Sequence, residues 1–279
     1  MQQTAVPLIV NFTPTGMIPM KDKVPSVPIS ANEIIEEVHQ AYELGITLAH
    51  LHARKADGTP SVEAADYRPI LEGVRLHCPD LVICTSLSGR SVSDPMARAE
   101  VLSLRPDMGS LTLSSLNFVQ QASINSPETI QFLAHAIQEA GARPELEVFD
   151  LGMMNYLSYL ISKEKITSPY YINIIVGNIA GAQLNPGHLA ALTQDIPAEA
   201  HIALGGIGNQ QLDAHLVALG MGWGIRVGLE DNVYFDRSKQ RISTNLELIQ
   251  RIHELAERAE RPLMTPSEFG KLGFYNAFR

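Results

Sequence analysis

The sequence predicts an α/β fold, a single (β/α)8 barrel of the TIM type, and two observations support this fold class. Short β-rich runs alternate about eight times with longer stretches of helical periodicity, as parallel strands joined by crossover helices do. No Gly/Ser linker, charge block or low-complexity segment interrupts the 279 residues. A doubly wound sheet would show the same alternation, but eight units in one uninterrupted chain favour the closed barrel. We therefore expect one domain over residues 1–279, with a helical C-terminal tail at about 262–279.

The predicted strands are short runs of aliphatic and β-branched residues. Their length suits a barrel strand, and polar or turn-forming residues follow most of them. They lie at residues 8–12, 46–50, 81–85, 108–113, 145–149, 170–176, 200–204 and 224–227.

Helix starts are marked by capping residues. Ser30 and Glu33 form a capping-box pattern that predicts the start of the first helix, and Gly45 predicts its end. Ser126 followed by Pro127 predicts the start of another helix, because proline is favoured at the first helical position. Further helices are expected at residues 63–77, 95–104 and 245–260.

Composition restricts the partners and the compartment. The net charge of −9 argues against nucleic acid, which needs a basic surface, but leaves room for an anionic small molecule. Cys78 and Cys84 are too few for a disulfide framework, which favours a reducing, cytoplasmic setting. Residues 1–4 lack the pattern of a signal peptide, and no apolar run is long enough to span a membrane.

His50 ends the second predicted strand, and His52 follows two residues later. Residues two apart in a strand point to the same face, so both imidazoles are expected to project together. Two histidines and a carboxylate are a common metal site, and barrel active sites lie where strands end. The alternative is a core histidine beside a solvent-facing one.

Arg226 lies at the end of the eighth predicted strand, and Glu230 and Asp231 follow it at the same rim. A carboxylate oxygen would complete a site of two histidines and one acid, leaving the second acid free to act as a base. The alternative is a salt-bridged cluster that caps a helix.

Other strand ends carry weaker signals. The hydroxyls around Ser86 would suit a carboxylate, and Ser110 begins an alternating series of small hydroxyl residues. Glu145 and Glu147 alternate on the fifth strand, where two inward carboxylates are costly unless paired or bound to a metal. The glycines of residues 205–208 would admit a phosphate, although an ordinary turn explains them equally well.

Several motifs, in order and spread over about residues 10–263, together resemble the β-keto acid cleavage enzymes. That family includes the 3-keto-5-aminohexanoate cleavage enzyme. The histidine motif and the arginine-to-asparagine motif at this separation are its most specific features. The motifs are Pro14-Thr15-Gly16, His50-Leu51-His52-Ala53-Arg54, Pro106-Asp107-Met108, Leu116-Asn117-Phe118, Pro144-Glu145-Leu146-Glu147-Val148-Phe149-Asp150, Gly206-Ile207-Gly208 and Arg226-Val227-Gly228-Leu229-Glu230-Asp231-Asn232.

The resemblance implies a (β/α)8 barrel that holds one Zn²⁺ through His50, His52 and Glu230. It also implies Claisen and retro-Claisen chemistry, in which a β-keto acid and acetyl-CoA give acetoacetate and a new acyl-CoA. Asp231 is expected to remove the α-proton, with Arg226 orienting it and offsetting negative charge. The same donor set also accepts iron, cobalt or nickel.

The resemblance further implies substrate-binding roles for Ser86, Ser110, Glu147, Thr15 and Gly16. It implies a homo-oligomer too, a tetramer as in relatives. The expected partners are therefore a small β-keto acid, acetyl-CoA and further copies of the chain.

One departure from the family pattern bears on the substrate. Members that accept amino-substituted keto acids carry an acid just after Gly16, whereas here Met17 and Ile18 follow. We therefore expect a substrate tail that is not cationic. Two rival functions use the same metal ligands: a different metal-dependent barrel aldolase or hydrolase, and a non-catalytic metal-binding ligand sensor.

Overall fold

The computed structural model describes residues 5–279, and its centre is a closed barrel of eight parallel strands. The first strand pairs with both the second and the last, which closes the sheet. The predicted (β/α)8 fold is confirmed. The strands are β1 Val10–Phe12, β2 Leu48–Leu51, β3 Val82–Thr85, β4 Met108–Thr112, β5 Arg143–Val148, β6 Tyr170–Val176, β7 Ala200–Gly206 and β8 Gly224–Val227.

Helices follow the strands and cover the outside of the barrel. Ser30 Oγ accepts a hydrogen bond from the Glu33 backbone N–H, and the Glu33 carboxylate accepts one from Ser30, so the expected capping box is present. Gly45 ends that helix in the left-handed region, with φ of 104°. The helices are α1 Ala31–Leu44, α2 Ala64–His77, α3 Pro95–Ala99, α4 Pro127–Glu139, α5 Leu151–Ser162, α6 Pro186–Thr193, α7 Gln210–Met221, α8 Asn245–Arg258 and α9 Pro266–Phe269.

Two local features differ from the sequence expectation. The helix expected at 95–104 is α-helical only to Ala99 and continues as a 3₁₀ helix, Glu100–Leu104, which ends at Arg105 with φ of 53°. Two small hairpins lie in the loops that follow β2 and β4, Ala53–Arg54 with Pro60–Ser61 and Leu116–Asn117 with Ala122–Ser123. Strands of two residues are too short to produce an alternating pattern, so the sequence did not predict them.

The C-terminal segment fills the amino-terminal end of the barrel. Phe269 and Phe274 are fully buried and stack with their ring centroids 4.3 Å apart, and Tyr171 of β6 meets Phe269 edge-on. The backbone N–H of Asn276 donates to Asp107, just before β4, at 3.0 Å. This plug leaves the opposite rim, where the parallel strands end, as the open side of the barrel.

No helix within residues 5–279 is long and apolar enough to cross a membrane. The expectation about a signal peptide concerns residues 1–4, which lie outside the described residues.

Replacing Phe274 by alanine is expected to lower the free energy of unfolding by about 3–5 kcal/mol, because a packed ring leaves a cavity that collapses only partly. Denaturant titration followed by circular dichroism measures the change. Phe278→Ala is the matched control: its ring is 57% exposed, and we expect a loss below about 1 kcal/mol. Equal losses in the two variants would contradict a stabilising plug.

Candidate metal centre and active site

Three side chains predicted as metal ligands converge inside the carboxyl end of the barrel. His50 lies in β2 and His52 directly follows it, so strand alternation turns both rings inward. Their Nε2 atoms are 3.3 Å apart, and His52 Nε2 is 3.4 Å from Glu230 Oε1. The distance from His50 Nε2 to the same Glu230 oxygen is 4.0 Å.

This spacing fits a tetrahedral cation. Zinc ligands at about 2.0–2.1 Å from the ion lie roughly 3.3–3.4 Å from one another. Within the described residues, Glu230 Oε2 is buried and makes no hydrogen bond, which leaves it available as a second donor oxygen. The donor atoms and their separations therefore fit the Zn²⁺ ion that the family resemblance implies.

Glu145 fixes the orientation of His50. Its Oε2 is 2.5 Å from His50 Nδ1, so Nδ1 donates a hydrogen bond to the carboxylate and Nε2 is the ring nitrogen on the side of Glu230, 4.0 Å from Oε1. The other carboxylate oxygen accepts from the amides of Asn11 and Asn173 at 2.6 and 3.0 Å. Although burial raises the pKa of Glu145, His50 outweighs it and holds the pKa at about 2. The sequence predicts that burying the Glu145 carboxylate inside the barrel is unfavourable unless the carboxylate is paired. The contact with His50 provides that pair.

A second cluster of possible ligands lies just below, formed by His50, Cys84 and Glu145. Cys84 Sγ is 3.3 Å from Glu145 Oε2. Burial and the nearby Glu145 raise the pKa of the Cys84 thiol well above its usual range, which disfavours the thiolate that a metal needs. The cluster of two histidines and Glu230 is therefore the better cation site.

Arg226 organises the acids at this rim. Its Nε donates to Asp231 Oδ2 and its Nη2 to Glu230 Oε1, both at 2.8 Å. Nη1 is 3.6 Å from a Glu147 oxygen and 3.9 Å from a Glu145 oxygen. Burial raises the pKa of Asp231 although Arg226 opposes it, and a raised pKa makes the carboxylate a stronger proton acceptor.

The loop after β1 packs directly beneath Glu230. Gly16 has φ of 58°, and a Cβ there would lie 2.6 Å from Glu230 Cγ, so a side chain at this position would displace Glu230. Arg54 holds this loop, donating to the carbonyl of Gly16 at 2.8 Å and to that of Thr15 at 3.4 Å. Thr15 and Gly16 thus lie beneath Glu230 and are not among the residues that line the cavity.

A cavity of about 260 Å³ opens above the ligands. Of the predicted substrate-binding residues, Ser86 and Glu147 line it, and Thr112 donates to Glu147 at 2.7 Å. Ser110 instead accepts a hydrogen bond from the Leu87 backbone and so supports the loop that carries Ser86. The remaining wall is Met17, Ile18, His50, His52, Ser88, Arg90, Phe118, Val119, Gln120, Gln121, Ser123, Phe149, Ile175, Asn178, Ile207, Arg226, Glu230 and Asp231.

The glycines at residues 205–208 have a packing role. A Cβ at Gly205 would press on the Arg226 side chain at 3.1 Å, and one at Gly206 would lie 2.4 Å from the Gln210 carbonyl. They allow β7 to lie against Arg226 and α7 to start close to the strand. Phosphate binding at these glycines stays a prediction.

The fold and the site define a class: a barrel enzyme whose candidate metal centre and general base lie together at the carboxyl ends of the strands. The chain belongs to the beta-keto acid cleavage enzyme family, whose model matches residues 7–272.

Named relatives agree with this membership. The 3-keto-5-aminohexanoate cleavage enzyme of Fusobacterium nucleatum is 32% identical over 262 residues, covering 94% of this chain and 95% of the relative. The 3-oxoadipate:acetyl-CoA acetyltransferase of Cupriavidus necator is 35% identical over 266 residues, covering 94% of this chain and 93% of that one. The solved apo structure of ObcA superposes with a TM-score of 0.77 at 19% identity, over 90% of this chain and 66% of that chain, which shows the shared fold alone.

Glu145→Gln is expected to weaken Zn²⁺ binding by roughly 10–100-fold, because the variant loses the charge that orients His50. Competition with a chromophoric chelator measures the dissociation constant. Glu147→Gln is the matched control, since its carboxylate lies on the same strand and face but contacts Thr112 and Arg226 instead of a histidine. An equal loss in both variants would mean that Glu145 acts through general charge and not through His50.

Proposed function

We propose that this protein is a Zn²⁺-dependent enzyme that condenses a β-keto acid with acetyl-CoA and releases acetoacetate and a new acyl-CoA. Family membership supports the β-keto acid, and the relative from Cupriavidus necator is named as an acetyl-CoA acetyltransferase. The observation that carries the proposal is the placement of Asp231, held by Arg226, beside the cluster of His50, His52 and Glu230.

His50, His52 and Glu230 would hold the metal. Zinc bound there would supply a Lewis acid that stabilises negative charge on the keto oxygen of the substrate. Every other step falls to groups of the chain and to the two substrates.

Asp231 is the proposed general base. The carbon between the ketone and the carboxylate of a β-keto acid is the acidic position, and Asp231 would take its proton. The two hydrogen bonds from Arg226, to Asp231 at 2.8 Å and 3.4 Å, fix the direction of the carboxylate. The same guanidinium would offset negative charge as the carbanion forms.

The carbon chemistry then balances without an outside reagent. The carbanion attacks the thioester carbonyl of acetyl-CoA and expels the CoA thiolate. That thiolate attacks the original keto carbon, and the bond to the α-carbon breaks. The α-carbon takes back the proton held by Asp231, acetoacetate leaves with the acetyl group, and CoA keeps the acyl remainder of the keto acid.

Apolar side chains around the cavity protect these intermediates from water. Met17, Ile18, Phe149, Ile175 and Ile207 face it. A low-polarity wall strengthens the electrostatic contacts of Arg226 and limits hydrolysis of the thioester. Met17 and Ile18 also offer nothing to a cationic tail, which supports a substrate without one. A cytoplasmic homo-oligomer, a tetramer by resemblance, completes the proposal.

Asp231→Asn is expected to lower kcat by roughly 10²–10⁴-fold, because the amide keeps the shape of the carboxylate but accepts no proton. Zinc-loaded protein is incubated with acetyl-CoA and a panel of β-keto acids, and acetoacetate and the new acyl-CoA are followed by mass spectrometry. Asp213→Asn is the matched control: its carboxylate pairs with Arg237 at the surface and does not line the cavity, so we expect turnover to be unchanged.

Turnover that needs acetyl-CoA and is lost in Asp231→Asn supports the proposal. Cleavage that proceeds equally well without acetyl-CoA would favour the rival aldolase or hydrolase. Failure of every keto acid, with zinc bound in full stoichiometry, would contradict the proposed reaction.

A further inference from the structure

One cation on the cavity wall has no counter-ion. Among the described Arg, Lys, Asp and Glu side chains lining the cavity, Glu147, Glu230 and Asp231 all lie within 3.6 Å of Arg226. The remaining charged side chain on the cavity wall is that of Arg90. Only its backbone N–H, which donates to Ser88, makes a hydrogen bond in the described part of the chain, so the guanidinium donors are free.

The guanidinium of Arg90 is nevertheless held in place. Its Cζ lies 3.2 Å from the centroid of the Phe118 ring, and Phe118 in turn meets Phe149 edge-on, with centroids 5.7 Å apart. Stacking uses the face of a guanidinium and leaves the N–H groups at its edge pointing away from the ring. Arg98 fixes the loop that carries Arg90 by donating to the Leu87 carbonyl at 2.8 Å.

An unpaired cation in a partly buried cavity is unfavourable until an anion joins it. Burial lowers the pKa of Arg90, which reflects this desolvation. The carboxylates of Glu147, Glu230 and Asp231 oppose the shift, but all three lie against Arg226 and none of them forms an ion pair or a hydrogen bond with the Arg90 guanidinium. A bidentate partner for Arg90 must therefore come from a ligand, and a carboxylate has the matching geometry.

We propose that Arg90 binds a second carboxylate at the far end of the substrate, so that the preferred β-keto acid is an oxo-diacid. This inference rests on the proposed function. Arg90 and His50 line the same cavity, so one molecule of suitable length reaches both the metal ligands and the guanidinium. Met17 and Ile18 lie on the wall of that cavity and suit the methylene chain of such a molecule.

The phosphates of CoA are the other possible source of an anion. They lie a full pantetheine arm away from the thioester, whereas Arg90 shares its cavity with the groups that act on the reacting carbon. The substrate tail is therefore the closer match.

The test compares a six-carbon 3-oxo diacid with the six-carbon 3-oxo monoacid, using zinc-loaded wild type, Arg90→Gln and Arg90→Lys. We expect the wild type to prefer the diacid and Arg90→Gln to reduce the diacid-to-monoacid ratio of kcat/KM by about 100-fold, as expected when one partner of a buried charge pair is removed. We expect the ratio for Arg90→Lys to lie between those of Arg90→Gln and the wild type, because lysine keeps the positive charge but cannot make the two parallel hydrogen bonds of a guanidinium. Arg68→Gln, on the exposed face of α2, is the control that keeps the wild-type ratio.

Two results overturn the inference. In one, the wild type uses the monoacid as well as the diacid. In the other, Arg90→Gln keeps the ratio but raises the KM for acetyl-CoA, which would assign Arg90 to a CoA phosphate.

A binding measurement separates this inference from the proposed reaction, because it needs no turnover. Calorimetric titration with adipate and hexanoate is expected to show tighter binding of adipate to the wild type and equal binding to Arg90→Gln. If neither keto acid is turned over while adipate keeps this advantage, the reaction fails and the anion site stands. Equal binding of the two probes to the wild type would overturn the anion site.

Discussion

The buried guanidinium of Arg226 is the constraint around which the candidate active site is built. The carboxylates of Glu145, Glu147, Glu230 and Asp231 all lie within 3.9 Å of it. Its side chain is only 2% exposed, so water does little to screen the interactions between these charges. Four acids this close together would repel one another and take up protons unless a cation lay among them. Removing Arg226 would therefore disturb both Glu230, the candidate metal ligand, and Asp231, the proposed base.

The acids divide into two roles because their second partners differ. Glu145 and Glu230 face histidines, with His50 2.5 Å from Glu145 and His52 3.4 Å from Glu230. Glu147 and Asp231 have no histidine partner: Glu147 accepts a hydrogen bond from Thr112, whereas the Asp231 carboxylate is held by Arg226 and is the proposed proton acceptor. Strand geometry brings His50 and His52, and likewise Glu145 and Glu147, to the barrel interior as pairs two residues apart, whereas Glu230 and Asp231 come from the segment that follows β8.

Much of this could be read from the sequence, because the signals are local. The spacing of His50 and His52 predicts that the rings share a face, and the acids after β8 predict a third ligand at the same rim. The structure brings these residues within 4.0 Å of one another.

What the sequence could not supply are contacts between distant segments. Glu145 was visible as an inward acid, but its bond to His50 joins β5 to β2 across the barrel, 95 residues apart in the chain. Arg90 and Phe118 belong to different loops and gave no periodic signal, so their stacking emerged only from the fold. Ser110 is predicted to bind substrate, but its hydroxyl accepts a hydrogen bond from the Leu87 backbone. A sequence pattern does not distinguish a hydroxyl that binds a ligand from one that supports a neighbouring loop.

Zinc X-ray absorption spectroscopy on the reconstituted protein tests the central claim most directly, because it identifies the ligand atoms without relying on activity. Coordination by His50, His52 and Glu230 predicts nitrogen and oxygen neighbours at about 2.0–2.2 Å, with the outer-shell scattering of two imidazoles. A sulfur neighbour at about 2.3 Å would place the ion on Cys84 in the lower cluster and contradict the assignment. Failure to take up one equivalent of zinc would contradict it as well.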